Sequence, residues 1–221
     1  MVEAVQIARE YRVPVIFLTD QSLGTRIETW QEPDLPRIVA DLSPSMTPIP
    51  KGHLPYQDNE KGVAPHYVPG TASLDDRYPV VTGLEHNEAG HPDGGPANHM
   101  KMTAKRRRKL QNLAETLPRP IVYGDEDGEA LRVSWGSSWG PVQEAVDQGR
   151  SRGQKISGLP IRYLSPLPPG LKEIFARFKR IFVVELNDSG LYGYGGQLAT
   201  VLRAVLCDDR IQGITKTDGL N

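Results

Sequence analysis

The pentapeptide Gly136-Ser137-Ser138-Trp139-Gly140 carries the Gly-x-Ser-x-Gly pattern, in which a sharp strand-to-helix turn presents a serine nucleophile. Its flanks suit that pattern, because the apolar LRVSW precedes it and the helix-forming PVQEAVDQGRS follows. A hydrolase of this kind needs an acid and then a histidine after the serine, and the sequence has no histidine beyond His99. Ser138 is therefore expected to start a helix, and Gly136, Ser137 and Ser138 to form a tight turn whose free N–H groups can contact an anion. No residue of the chain is assigned a catalytic role. Gly190, Gly193, Gly195 and Gly196 make a second glycine-rich turn, but their spacing matches neither a dinucleotide fingerprint nor a phosphate-binding P-loop. Close backbone packing is the expected use.

A third polar group comprises Glu85, His86, His91, Asp93 and His99. It lacks the paired histidines on one helix face, or the cysteines, that a metal ion would need, so no metal site is assigned. These residues read either as interface or substrate-facing loop positions or as a solvated polar loop. The single cysteine, Cys207, cannot form an internal disulfide or by itself hold zinc or an iron–sulfur cluster. It reads as an incidental thiol at a helix end.

Composition narrows the classes further. With 221 residues, 38% hydrophobic and 24% charged, the chain is ordinary globular material of one domain or two small ones. A formal net charge of −1 gives no electrostatic reason to expect nucleic acid or an anionic membrane as partner. No apolar run approaches a bilayer span, and MVEAVQIAREY lacks the basic and apolar regions of a signal peptide. A cytoplasmic chain is expected.

The elements that must position these residues lie unevenly along the chain. Residues 2–11 have helical spacing and residues 13–18 (VPVIFL) read as a buried parallel strand, after which Thr19, Asp20 and Gln21 occupy a place where α/β proteins put ligand or interface groups. Residues 30–118 have little apolar periodicity and are rich in proline, glycine and histidine. Ordering such a connector costs about 1–2 kcal/mol per residue, which its few aliphatic side chains cannot offset, so a partner surface is expected to supply the missing burial. Its early part, to Pro79, reads as extended segments and turns. Its end reads as a basic helix in which Lys105, Arg106, Arg107, Arg108 and Lys109 are mostly solvated or salt-bridged.

From residue 119 strands and helices alternate. Edge strand 121–123, strand 131–135, a helix from Pro141, strand 161–164, a helix bearing Leu171, Ile174, Phe175 and Phe178, strand 181–186, a helix over 198–206 and strand 211–215 are expected. That alternation predicts an α/β fold: a three-layer, mostly parallel sheet with helices on both faces, preceded by a long irregular connector.

RVSWGSSWGPVQEAV, IRYLSPLPP, RIFVVELNDSGLYG and TKTDG together resemble the last domain of the α subunit of 2-oxoacid:ferredoxin oxidoreductases. Upstream, VTGLEHNEAGHP and NHMKMTAKRRRKL resemble the connector of the 2-oxoglutarate branch, and REYRVPVIFLTDQSLG the end of its pyrimidine-binding domain. The resemblance implies three parts: residues 1–29 as the tail of the pyrimidine-binding domain, 30–118 as the connector and 119–221 as a domain similar to the transketolase C-terminal domain. It also implies the chemistry, oxidative decarboxylation of a 2-oxoacid on thiamine diphosphate, acyl transfer to coenzyme A and electron flow through iron–sulfur clusters to ferredoxin. In the family the acidic residue that activates the thiamine cofactor comes from the pyrimidine-binding domain, and the β subunit holds the diphosphate and Mg2+. Neither most of that domain nor its Tyr-Pro-Ile-Thr-Pro-type motif occurs in this sequence.

The chain is thus expected to bind no cofactor alone, to be inactive alone, and to act in an oligomer with the β subunit and the remainder of the α subunit, reaching ferredoxin through that complex. Substrate or interface roles are expected in the loop containing Arg77, Glu85 and His86, with Arg77 able to pair bidentately with a carboxylate and His86 able to donate a hydrogen bond. The competing expectation is a non-enzymatic α/β interaction module that binds an acidic partner through its basic helix.

Overall fold

The computed structural model describes residues 1–43, 48–68, 70–72, 80–190 and 195–218. The chain divides into two compact units, one formed by Met1–Phe17 and Thr29–Leu113 and the other by Leu18–Glu28 and Ala114–Asn221.

In the first unit, α1 (Val2–Tyr11) buries Tyr11, and α4 (Pro96–Thr116) provides the long support along which the irregular residues run. Between them lies α3 (Leu35–Leu42), inside a stretch expected to be extended. Asp34 makes the difference: its carboxylate accepts the Arg37 N–H at 3.1 Å, and Pro36 sits in the first turn, where a missing N–H breaks no helical bond. The expected strand over residues 13–18 does not form. Ile16, Phe17 and Leu18 are 83%, 57% and 54% exposed, and a parallel strand exists only through neighbours, none of which reaches this run among the described residues.

The second unit holds α2 (Gln21–Thr25) and a four-stranded sheet of β1 (Gly128–Ser134), β2 (Ile156–Pro160), β3 (Phe178–Glu185) and β4 (Ile211–Thr215), ordered β2-β1-β3-β4 and parallel throughout. The connections carry α5 (Trp139–Ser151), α6 (Leu171–Phe175) and α7 (Gln197–Leu206). Strand alternation sorts the side chains. Leu131, Val133, Leu159, Ile181, Val183 and Ile211 face α6 and α7 and build the main core with Phe175, Leu198 and Leu202. Full burial of each such side chain contributes about 1.5–3 kcal/mol. The opposite face packs Ala130 and Ile156 against Val146 of α5. The sheet thus has helices on both faces.

Three expected elements are displaced. The strand placed at 161–164 runs instead over Ile156–Pro160; glycine in ISGLP weakens its strand signal, and Gly158 is there because the Trp139 ring would lie 2.9 Å from a Cβ. Phe178, expected on a helical stripe, opens β3 opposite Gly128, since the helix ends at Phe175. Either placement buries Phe178, so apolar periodicity does not separate them. The edge strand at 121–123 contracts to one bridge, Tyr123 with Gly158, closed by two hydrogen bonds of 2.8 Å.

Candidate functional site

In the second unit the chain leaves β1 to build β2 on one side, then crosses to β3 on the other. The loops after β1 and β3 therefore diverge at the carboxyl ends of the strands, the place where open α/β sheets take ligands. After β1, Gly136 adopts φ 62° and a 3-10 turn covers Gly136–Ser138. Ser138 is buried, and its hydroxyl donates to the Trp135 carbonyl at 2.7 Å and to Val184 O at 3.4 Å. Its proton is held by backbone carbonyls and not by a base, which leaves it a structural turn residue.

Ser137 donates from both its hydroxyl and its backbone N–H to the Asp20 carboxylate. These bonds, the hydroxyl's first, hold the Asp20 carboxyl below the usual carboxylate range. Asp20 also caps α2 by accepting the Leu23 N–H at 3.2 Å. The anion that meets the Gly136, Ser137, Ser138 turn is thus the chain's own Asp20.

After β3 a second internal carboxylate does the same for α7. Glu185 is 1% exposed. Its Oε1 accepts the Ala199 N–H at 2.9 Å, and its Oε2 accepts the Leu198 N–H at 3.0 Å, Asn187 Nδ2 at 2.9 Å and Trp135 Nε1 at 3.4 Å. Carboxylate at a helix amino terminus satisfies free N–H groups and opposes the positive end of the helix dipole. A Cβ on Gly196 would overlap Glu185 Oε1, so glycine is what lets the carboxylate reach the helix. Sequence reasoning did not single out Glu185. The available signal was one acid ending the apolar strand IFVVE, ahead of a helix whose own cap residue is glycine.

In the first unit the polar group of residues 85–99 folds into a fixed turn on α4. Asn87 Oδ1 accepts the N–H groups of Ala89 at 3.0 Å and His91 at 3.2 Å, and Asn98 Nδ2 donates to the carbonyls of His86 at 3.1 Å and Asp93 at 2.9 Å. Glu85 accepts two bonds of 3.1 Å from Arg106 and meets His99 Nδ1 at 3.0 Å. The Arg106 guanidinium, and then His99, lower its carboxyl to about 2. His86 packs against Tyr56 with ring centres 4.1 Å apart and ring planes tilted by 48°, and its Nδ1 lies 2.8 Å from the Leu84 carbonyl. That contact requires a proton on Nδ1, so the neutral ring offers Nε2 as an acceptor and donates there only as imidazolium. Arg77 lies outside the described residues.

The Glu85 pairing has a pH signature. A carboxyl lowered in the folded state stabilises fully above its ordinary value of 4.5, and this contribution disappears as pH falls through about 2. Urea unfolding of Glu85→Gln should therefore show lower stability than wild type at neutral pH. The two chains should converge between pH 4.5 and 2, the span of the shift.

The basic run is solvated or salt-bridged at Arg106, Arg107 and Arg108, as expected, while Lys105 departs from that reading. Lys105 is 6% exposed and donates to the Tyr56 carbonyl and to Gln57 O at 3.3 Å. Burial lowers its pKa from the usual range. Arg108 grips both oxygens of Asp58 at 2.5 and 2.6 Å, and Lys109 donates to Arg12 O at 3.3 Å. These cations fasten residues 56–58 and Arg12, at the end of α1, to α4.

Residues 128–221 match the family model described as pyruvate:ferredoxin oxidoreductase core domain II. Over 99% of its length the chain is 35% identical to the 2-oxoglutarate oxidoreductase subunit KorA of Mycobacterium tuberculosis, covering 32% of that protein. Along nearly its whole length the chain is thus similar to part of the α subunits of 2-oxoacid:ferredoxin oxidoreductases. Another such subunit, 2-oxoacid:ferredoxin oxidoreductase 1, subunit alpha, of Aeropyrum pernix, is 32% identical over 86% of the chain and 30% of its own length. Among solved structures, 2-oxoglutarate:ferredoxin oxidoreductase from Magnetococcus marinus, with 2-oxoglutarate, coenzyme A and succinyl-CoA bound, superposes with a TM-score of 0.66 at 29% identity, over 76% of this chain and 28% of that one. The chain thus spans about a third of the length of these oxidoreductase relatives.

No three His, Cys, Asp or Glu side chains converge as metal ligands among the described residues, and Cys207 is the sequence's one thiol, too few for an iron–sulfur cluster. No helix among the described residues is long and apolar enough to cross a membrane.

Proposed function

We propose that this chain forms part of the α subunit of a 2-oxoglutarate:ferredoxin oxidoreductase, in which it serves as a scaffold for subunit assembly. The carrying observation is chemical: at the sheet's carboxyl end, Asp20 and Glu185 occupy the anion-receptive turn and helix start. A surface that satisfies its own ligand-type contacts is suited to fixing loops, not to turning over substrate. In this reading thiamine diphosphate, Mg2+, the iron–sulfur cluster and coenzyme A are held by the β subunit and the remainder of the α subunit, and ferredoxin is met through the complex.

The purified chain alone should give no 2-oxoglutarate-dependent dye reduction, while adding the β subunit and the remaining α-subunit sequence should restore it. Turnover by the chain alone would sink the proposal. We assign Arg77, Glu85 and His86 to a substrate-facing or subunit-facing loop. Glu85 is fixed there by Arg106, and His86 by Leu84 and Tyr56. Arg77→Ala in the reconstituted complex should raise the Michaelis constant for 2-oxoglutarate by about tenfold, the loss of one bidentate contact. An unchanged constant removes Arg77 from substrate binding.

A further inference from the structure

Among the described residues of the second unit, one sheet face is only half covered by helix. α5 lies over β1 and β2, where Val146 meets Ala130 and Ile156. On the same face β3 and β4 carry Arg180, which is exposed, Phe182, which is partly buried, and Ile214, which is 47% exposed. Beside them an open groove of about 510 Å³ runs along the strands, with Arg132, Lys155, Arg180, Ile156 and Phe182 in its walls.

The groove is strongly cationic. Among the described residues its one acid, Glu129, bonds Lys179 at 2.7 Å, leaving the charges of Arg132, Lys155 and Arg180 to dominate. Arg132 pairs in register with Phe182, and Arg180 with Ala130, so the two guanidinium groups come from diagonal positions on adjacent strands. Arg132 Nη1 is shielded from solvent and has no hydrogen-bond partner among the described residues. A buried donor left unmade is costly, and a guanidinium fork is shaped for a carboxylate.

We propose that this groove docks an acidic segment of another polypeptide, with an Asp or Glu carboxylate between Arg132 and Arg180 and a neighbouring apolar side chain on Phe182. Its position favours a polypeptide over a small ligand. It runs beside the amino-terminal halves of β1 and β3, away from the carboxyl-end crevice where such sheets take small molecules. Arginine beside aromatic and aliphatic surface is also the composition of a protein interface. The inference rests on the groove's own residues and holds whether or not the chain acts in the proposed oxidoreductase.

The test selects a displayed random-peptide library on the full chain, with counter-selection on Arg180→Glu. Position 180 is exposed, and circular dichroism checks that the variant folds. Selected peptides should carry Asp or Glu next to an apolar residue, bind Arg180→Glu about tenfold or more weakly, and weaken as salt rises. Arg132→Gln should weaken them similarly. Several outcomes overturn the proposal: peptides without carboxylates, equal binding by the variants, or no selection at all. So does tight binding of free pyrophosphate without any acidic peptide, which assigns the groove to a small phosphorylated ligand. Self-association lost in Arg180→Glu would assign it to a second copy of the chain.

Discussion

Glu185→Ala should lower the unfolding free energy of the second unit by about 3–5 kcal/mol, the upper range for a single substitution. The carboxylate is almost wholly buried and accepts bonds from the backbone N–H groups of Leu198 and Ala199, from Asn187 and from Trp135. Alanine leaves those donors in a space too enclosed for water to replace each bond. It also strips α7 of its cap, since Gly196 supplies no side chain. Glu185→Gln keeps the shape but turns an NH2 group toward backbone donors, so about half of that loss is expected. Trp135 and Trp139 lie in this unit, and Trp135 touches the carboxylate itself, so tryptophan fluorescence during urea unfolding reports the effect.

The repeating core was legible in the sequence because each element carries its own period. Leu198 and Leu202 share one helical face, and the apolar run 181–184 has the continuity expected of a strand in a parallel sheet. Final strand 211–215 fell where expected for the same reason. What stayed hidden depends on partners distant in sequence. Lys105 looks like one cation among five until Tyr56 and Gln57, roughly fifty positions earlier, turn their carbonyls toward it. Asp20 was placed among ligand or interface positions, and the structure gives it to Ser137, 117 residues away. Glu185 reads as a strand-ending charge, and only the return of the chain at α7 shows what it binds. The reading of 13–18 as a strand failed for the complementary reason: its local signal is strong, but a strand also requires a neighbour.

Gly213→Ala should cost about 3 kcal/mol or more, although it adds a single methyl group to an edge strand. A Cβ at Gly213 would overlap the Gly195 carbonyl oxygen, and one at Gly195 would lie 2.6 Å from Gly213 Cα, so two backbones pass each other with no space for a side chain. Backbone atoms cannot rotate aside as a long side chain can, and the displacement has one direction to go. Moving Gly195 carries Gly196 with it, at φ 93°, away from its seat beside Glu185 Oε1. The added methyl therefore acts by loosening the α7 cap. Gly136→Ala provides the contrast: φ is 62° but no atom lies within 4 Å of the new Cβ, so only conformational strain of about 1 kcal/mol is expected. Because Gly213→Ala and Glu185→Ala damage one device, their costs should not add. The double variant should be less destabilised than the sum by about 1–2 kcal/mol, as for residues sharing one network. Strict additivity in urea unfolding would separate the glycine contact from the carboxylate cap.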